Sequence, residues 1–288
     1  MNRTLLFAAA ALCMSMSLRA QEAVIDSVAT SPVRDEKQQA PENEPSTPSE
    51  KTSRRNGPYY KNIVKTNLST IALANYGLTY ERMLTRKISA SVGYRFMPST
   101  NITKSPLGEQ VMDIVAEEGD DISQQLDKLK MSGNAVTLEF RVYTGKRPGA
   151  KGFYAGVYGR YAAFKYDYPY DFEKPSGNTL VPLKGNSKGI GGGVILGGQF
   201  MIAKRVVVDL FIIGGHYGKM TGKLEGLTDM SDFDEADRAA LKDDLEGLVD
   251  LGGDNGIKAE VRDDGVRADI KLPFLGLRGL GLTVGFAF

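Results

Sequence analysis

The chain has 288 residues, with 36 Lys and Arg against 35 Asp and Glu, so no overall charge points to nucleic acid. This length admits one large or two small domains with a sizeable core. The single cysteine, Cys13, lies near the start; a chain without cysteine beyond it suits export, because it cannot form wrong disulfides in an oxidising compartment.

The first residues, "MNRTLLFAAAALCMSMSLRA", give a basic start at Arg3, an apolar run from Leu5 to Leu12, and small residues leading to Ala20. That is the pattern of a secretory signal, with cleavage expected after Ala20. Leu12 stands before Cys13 where a lipoprotein signal wants a small residue, which argues against lipidation. Residues 21–57 are rich in Pro, Glu, Ser and Lys and nearly devoid of large apolar side chains. Such a segment buries too little surface to offset its ordering entropy, and a disordered tether is expected.

From residue 58 to residue 288 the hydrophobic pattern has a period of 2. In "YKNIVKTNLST" Val64, Thr66 and Leu68 share one side, and in "ANYGLTYERML" Tyr76, Leu78 and Tyr80 do. "ISASVGYRFMP" sets Ile88, Ala90, Val92, Tyr94 and Phe96 against Ser89, Ser91, Gly93 and Arg95. "NAVTLEFRVYTG" sets Val136, Leu138, Phe140 and Val142 against Thr137, Glu139, Arg141 and Tyr143. "GFYAGVYGRYAAF", "GIGGGVILGGQFMIA", "VVVDLFIIGGHYG" and the closing "RGLGLTVGFAF" bring the count to eight strands.

After the signal no stretch has the 20 or so apolar residues of a membrane helix. Strands alternating apolar outside with polar inside cross a bilayer when they close on themselves. Connection lengths agree. Short turns fall at "LTRK", "GKRPGAKG" and "AKR", and long loops are expected at about 99–132, 167–188 and 220–265 on the opposite end. The fold class predicted is therefore all-β: an eight-stranded antiparallel transmembrane barrel, with helical external loops and both termini periplasmic. The same alternation also fits a soluble secreted barrel turned inside out around an apolar ligand.

"NIVKTNLSTIALANYGLTYER" and "GFYAGVYGRY" resemble a family of exported barrels of unknown function, grouped with the small OmpA-like outer-membrane barrels. The resemblance rests on Lys65-x-Asn67-Leu68, Tyr80-Glu81-Arg82 and Gly152-Phe153-Tyr154. It implies the fold and an outer-membrane location and assigns no activity. The last strand, with Leu280, Leu282, Val284, Phe286 and Phe288 at alternate positions, resembles the insertion signal of such barrels. The partners expected are the barrel-insertion machinery, outer-membrane lipid and lipopolysaccharide, and a surface ligand at the long loops. No cofactor or metal is expected.

Alternation places Lys65, Glu81, Arg95, Glu139, Arg141, Arg160 and Asp209 inside, with Tyr154, Tyr158 and Gln199. The interior of an eight-stranded barrel is just wide enough for side chains to fill, so these residues form a polar plug; a gated ion path or small-molecule site is the alternative. A lipid A-modifying enzyme would need a rim histidine with a serine and a carboxylate. The one histidine, His216, falls by alternation on the lipid side with Val208, Leu210 and Ile212, and Ser69 and Ser187 are the rim serines.

The last long loop contains "DMSDFDEADRAALKDDLEGLVDLGGDNG". Ser231 or Asp232 is expected to cap a helix there, with Phe233, Ala236, Ala240, Leu241, Leu245 and Leu248 at helical spacing. Its acidic residues lack the alternating ligands of an EF-hand. Val111, Ile114, Val115, Ile122, Leu126 and Leu129 give a similar stripe in the first long loop, and the two segments are expected to pack together or to meet a partner.

Overall fold

A computed structural model describes residues 59–71, 74–101, 128–174, 177–248, 255–278 and 281–288. The expected signal and tether, the helical stripe between 102 and 127, and Leu280 lie outside these residues.

Alternation becomes geometry in the strands β1 (Asn62–Asn67), β2 (Tyr76–Met83), β3 (Ile88–Asn101), β4 (Lys130–Tyr143), β5 (Gly152–Lys174), β6 (Gly177–Met201) and β7 (Val206–Leu227). Four further strands follow, β8 (Gly256–Arg262), β9 (Gly265–Pro273), β10 (Gly276–Arg278) and β11 (Gly281–Ala287). β1 to β7 pair in sequence, all antiparallel, and β11 pairs with both β7 and β1. The ring is therefore closed by eight strands, the number expected from the sequence. Closure is staggered. Lys65 leads through Gly285 to Val207, and in the other direction through Thr79, Gly93, Thr137, Arg160 and Gly191 to Gly218. A row of hydrogen-bond partners thus climbs from Val207 to Gly218 along β7 in one circuit, which is how strands tilt in a closed barrel.

The side-chain period of 2 puts polar groups inside and apolar groups outside. Leu78, Val92, Tyr94, Leu138, Phe140, Phe153, Val157, Val194, Leu210 and Phe286 are exposed, whereas Lys65, Glu81, Glu139, Arg141 and Asp209 are buried. An apolar interior around a ligand, the inside-out alternative, is thereby ruled out. Phe286 and Phe288 of the last strand face outward, as the alternation requires.

One residue breaks the parity. Leu196 pairs with Ile213 and Gly197 with Phe211, so Ile212 has no opposite number. This β-bulge leaves both Ile212 and Ile213 exposed and moves every later residue of β7 to the other face.

The sequence also leads one to expect a loop at 167–188, and the structure corrects this. β5, β6 and β7 run for 23, 25 and 22 residues, far beyond the roughly 9–11 that a bilayer requires. β5 and β6 remain paired to Lys174 and Gly177, even where Pro169 faces Pro182. In the 220–265 region, expected as a long loop carrying a helix, strands are present as well. β7 continues to Leu227, where β9 pairs with its upper half, and β8 with β9.

The helix α1 (Leu68–Ile71) is a single turn at the top of β1. The helix α2 (Glu235–Gly247) is the one expected from the sequence, but its N-cap is Asp234, whose Oδ1 accepts from the Asp237 amide at 2.7 Å. Leu241 and Leu245 are buried, with Phe233, Met230, Tyr170, Phe172, Val181, Leu183, Ile257, Val266 and Ile270, in a core outside the barrel. Ala236 and Ala240, counted in the apolar stripe, are exposed. The projecting ends of β5, β6 and β7 with β9, β8 and α2 are thus a lobe with its own core. Within the described residues, the apolar stripe of α2 is covered by this sheet.

Candidate functional site

Seven strands supply one buried cluster near the short-turn end of the barrel. Lys65 of β1 donates from Nζ to Glu81 Oε2 (2.7 Å), Gln199 Oε1 (2.8 Å) and Asp209 Oδ2 (2.8 Å). Its three protons have three acceptors, which is what allows an ammonium to lie 2% exposed. Arg141 of β4 donates through Nε and Nη2 to Glu139 Oε2 (2.9 and 2.6 Å) and through Nη1 to Asp209 Oδ2 (2.6 Å). Its guanidinium also lies 4.4 Å from the centroid of the Tyr154 ring.

The carboxylates are held in turn by hydroxyls. Ser89 and Tyr143 both donate to Glu81 Oε1 at 2.5 Å, and Tyr154 donates to Asp209 Oδ1 at 2.8 Å. Asp209 is the shared group, because one of its oxygens takes both cations. The amide of Gln199 donates to the Ala150 carbonyl (3.1 Å), tying the cluster to the turn between β4 and β5. That turn folds beneath the barrel, where Pro148, Gly149 and Ala150 are buried.

Five of the seven lumen residues picked from the sequence therefore meet: Lys65, Glu81, Glu139, Arg141 and Asp209. Arg160 and Arg95 point inward but lie farther along, Arg160 level with Thr137 and Arg95 level with Ala135. Ser89 and Tyr143 belong to the cluster and were not singled out, although alternation already put them on the inner face.

A second layer lies above. His216 is 8% exposed and faces the lumen, not lipid; the Ile212 bulge reverses the parity on which the lipid-side expectation rested. Its Nδ1 lies 3.1 Å from the Tyr158 hydroxyl, and its ring centroid is 4.6 Å from that of Phe274. Phe274, which no sequence signal marked, is seated because Gly189 leaves room: a Cβ there would fall 2.7 Å from the ring. Gly276 is equally constrained, since a Cβ there would lie 2.1 Å from His216 Cε1.

The two candidate serines have structural partners. Ser69 Oγ accepts from the Leu282 amide (3.0 Å), and Ser187 Oγ shares a hydrogen bond with the Tyr166 hydroxyl (2.7 Å). Neither bond involves His216, whose ring stands in the lumen beside Tyr158 and Phe274.

The acidic side chains of the lobe hold it together. Asp232 pairs with Lys174 (2.7 Å), whose Nζ lies 4.3 Å from the Phe233 ring centroid. Asp263 pairs with Arg238 (2.6 Å), Glu246 accepts from the Ala259 amide (2.9 Å), and Asp244 accepts from the Tyr170 hydroxyl (3.0 Å). Burial and the neighbouring Asp244 push the Tyr170 phenol above its ordinary pKa.

No family model matches the sequence, and no curated protein matches it. Among solved structures, the chain is similar to the N-terminal β-barrel domain of Pseudomonas aeruginosa OprF, at 12% identity and a TM-score of 0.28, over 80% of this chain and 98% of that one. It is similar to Acinetobacter baumannii CarO at 13% identity and a TM-score of 0.33, over 80% of this chain and 97% of that one. CarO2 of the same organism gives 9% identity and 0.33, with 80% and 98% covered.

Proposed function

We propose that the chain is an integral outer-membrane barrel with both termini periplasmic, a polar plug in its lumen, and an external lobe that serves envelope structure or surface recognition. The observation that carries this reading is the inversion of the barrel: charges buried inside, and exposed Leu, Val, Ile, Phe and Tyr on seven of the eight strands of a closed ring. Soluble proteins seldom expose so much contiguous apolar surface, and a closed ring leaves no strand edge unsatisfied in lipid.

The plug reading rests on the hydrogen bonds of the lower cluster, whose two cations and three carboxylates compensate one another across the lumen. The recognition reading rests on the lobe, which is built on rigid strands and presents its outward sheet face to solvent.

Topology is tested by inserting a short epitope between Asp263 and Asp264, in the turn joining β8 to β9, and by adding protease to intact cells. Accessible epitope with an intact barrel fragment is the expected result. An epitope reached only after the outer membrane is permeabilised would reverse the orientation.

A further inference from the structure

We propose that Lys165, Lys188 and Lys219 form a seat for the phosphate groups of a lipopolysaccharide-type glycolipid in the outer leaflet. This rests on the outer-membrane reading above and adds the binding site and its ligand class.

The three lysines lie on consecutive strands β5, β6 and β7. Each faces outward and is exposed, and each stands one or two outward positions beyond a large apolar residue of its own strand: Tyr161, Ile190 and Tyr217; Leu180 and Leu227 lie farther out, in the lobe. In register they do not face one another directly. Lys165 pairs with Asn186, and Lys188 with Ala163 and Thr221; Lys219 lies two residues below Thr221. They are therefore diagonal neighbours, spaced at about 7–8 Å.

The diagonal is what matters, because the strands tilt. Rows of hydrogen-bond partners climb from β1 toward β7, as the circuit from Val207 to Gly218 shows. Stepping back two residues at each strand offsets that climb. Lys165, Lys188 and Lys219 thus stand at one height, just above the apolar band, where lipid headgroups lie.

Among the described residues, no side-chain hydrogen bond or ion pair engages any of the three ammonium groups. The next outward carboxylate on β5, Asp167, lies farther from the apolar band and stands opposite Lys184. At the same height on β4 stands Lys130, a further outward cation whose register partner is Asp167, while Ala163 and Thr221, the register partners of Lys188, are uncharged. Three like charges at diagonal spacing repel one another unless an anion joins them. A bis-phosphorylated glycolipid meets both demands, with its acyl chains on Tyr161, Ile190 and Tyr217 and its phosphates among the ammonium groups.

The test uses the full chain folded in detergent micelles, with retained lipid counted by native mass spectrometry. The probes are bis-phosphorylated lipid A, its dephosphorylated form, and phosphatidylglycerol. The seat requires preference for phosphorylated lipid A over both others, and a loss of about tenfold or more in the K165Q/K188Q/K219Q variant. K184Q/K223Q/K271Q removes the same charge higher on the sheet and is expected to bind within about twofold of wild type. Equal loss in both triple variants, or retention that ignores the phosphates, overturns the seat. Phosphatidylglycerol held as well as lipid A overturns the ligand class. A heat-dependent gel shift is recorded for every sample: its presence with indifferent binding sinks the seat alone, and its absence in wild type sinks the barrel and the seat together.

Discussion

Lys65 Nζ and Asp209 Oδ2 lie 2.8 Å apart in the barrel interior, although 144 residues separate them in the chain. Their strands are not neighbours in the ring; β11 stands between β1 and β7. The pair therefore spans the lumen wall and exists only when the ring has closed in one register.

Replacing Lys65 by Met leaves Glu81 and Asp209 buried with one cation fewer. Breaking a buried pair from one side costs about 3–5 kcal/mol, because the remaining charge has no compensation. Urea unfolding in micelles, followed by the folded band on an unheated gel, is expected to show a loss of that order. An unchanged midpoint would mean that the ammonium contributes nothing to closure.

The bulge at Ile212 makes a direct claim about which side chains meet lipid. With a thiol-reactive fluorophore at Tyr217→Cys, lipid-borne quenchers are expected to act strongly. At His216→Cys they are expected to have little effect. Strict alternation without the bulge gives the reverse order, so the pair of measurements decides between them.

Gly276 and His216 are directly opposite in the β10–β7 pairing. Gly276→Ala puts a methyl where the imidazole stands and is expected to destabilise the barrel by about 1–3 kcal/mol, as overpacking does. Adding His216→Ala removes the obstacle, so the double variant is expected to be less damaged than the sum of the two single changes.

The lobe has its own pH dependence. In the folded lobe Tyr170 is held protonated by burial and by Asp244, whereas the unfolded side chain loses its proton near pH 10. Its folded value is raised, so its contribution is complete below about pH 10 and declines as pH climbs toward the folded value. Limited proteolysis between pH 8 and pH 11 is expected to cleave the wild-type lobe progressively faster, with a shallower rise in Tyr170→Phe.

The barrel was legible because a period of 2 assigns faces without any knowledge of partners. Lys65, Glu81 and Asp209 could be placed inside on that ground alone. His216 could not, because "DLFIIGGHYG" contains two adjacent isoleucines and two glycines, and nothing there marks which residue is extra. The projecting hairpin was hidden for a different reason. Pro169 and Pro182 read as strand breakers, yet they face each other within the β5–β6 ladder. Tyr168, Tyr170 and Phe172 did alternate there, and with Val181 and Leu183 they are the signal that could have revealed the lobe. Phe274 carried no periodic cue, since its seat depends on glycines of another strand.

An apolar outer face of this kind is expected to meet lipid. The most direct measurement is the migration of membrane-fraction protein on a gel with and without boiling. The expected result is protein in the outer-membrane fraction, with the unboiled form running faster as a compact barrel. Protein found in the aqueous fraction, with the same mobility before and after boiling, would contradict it.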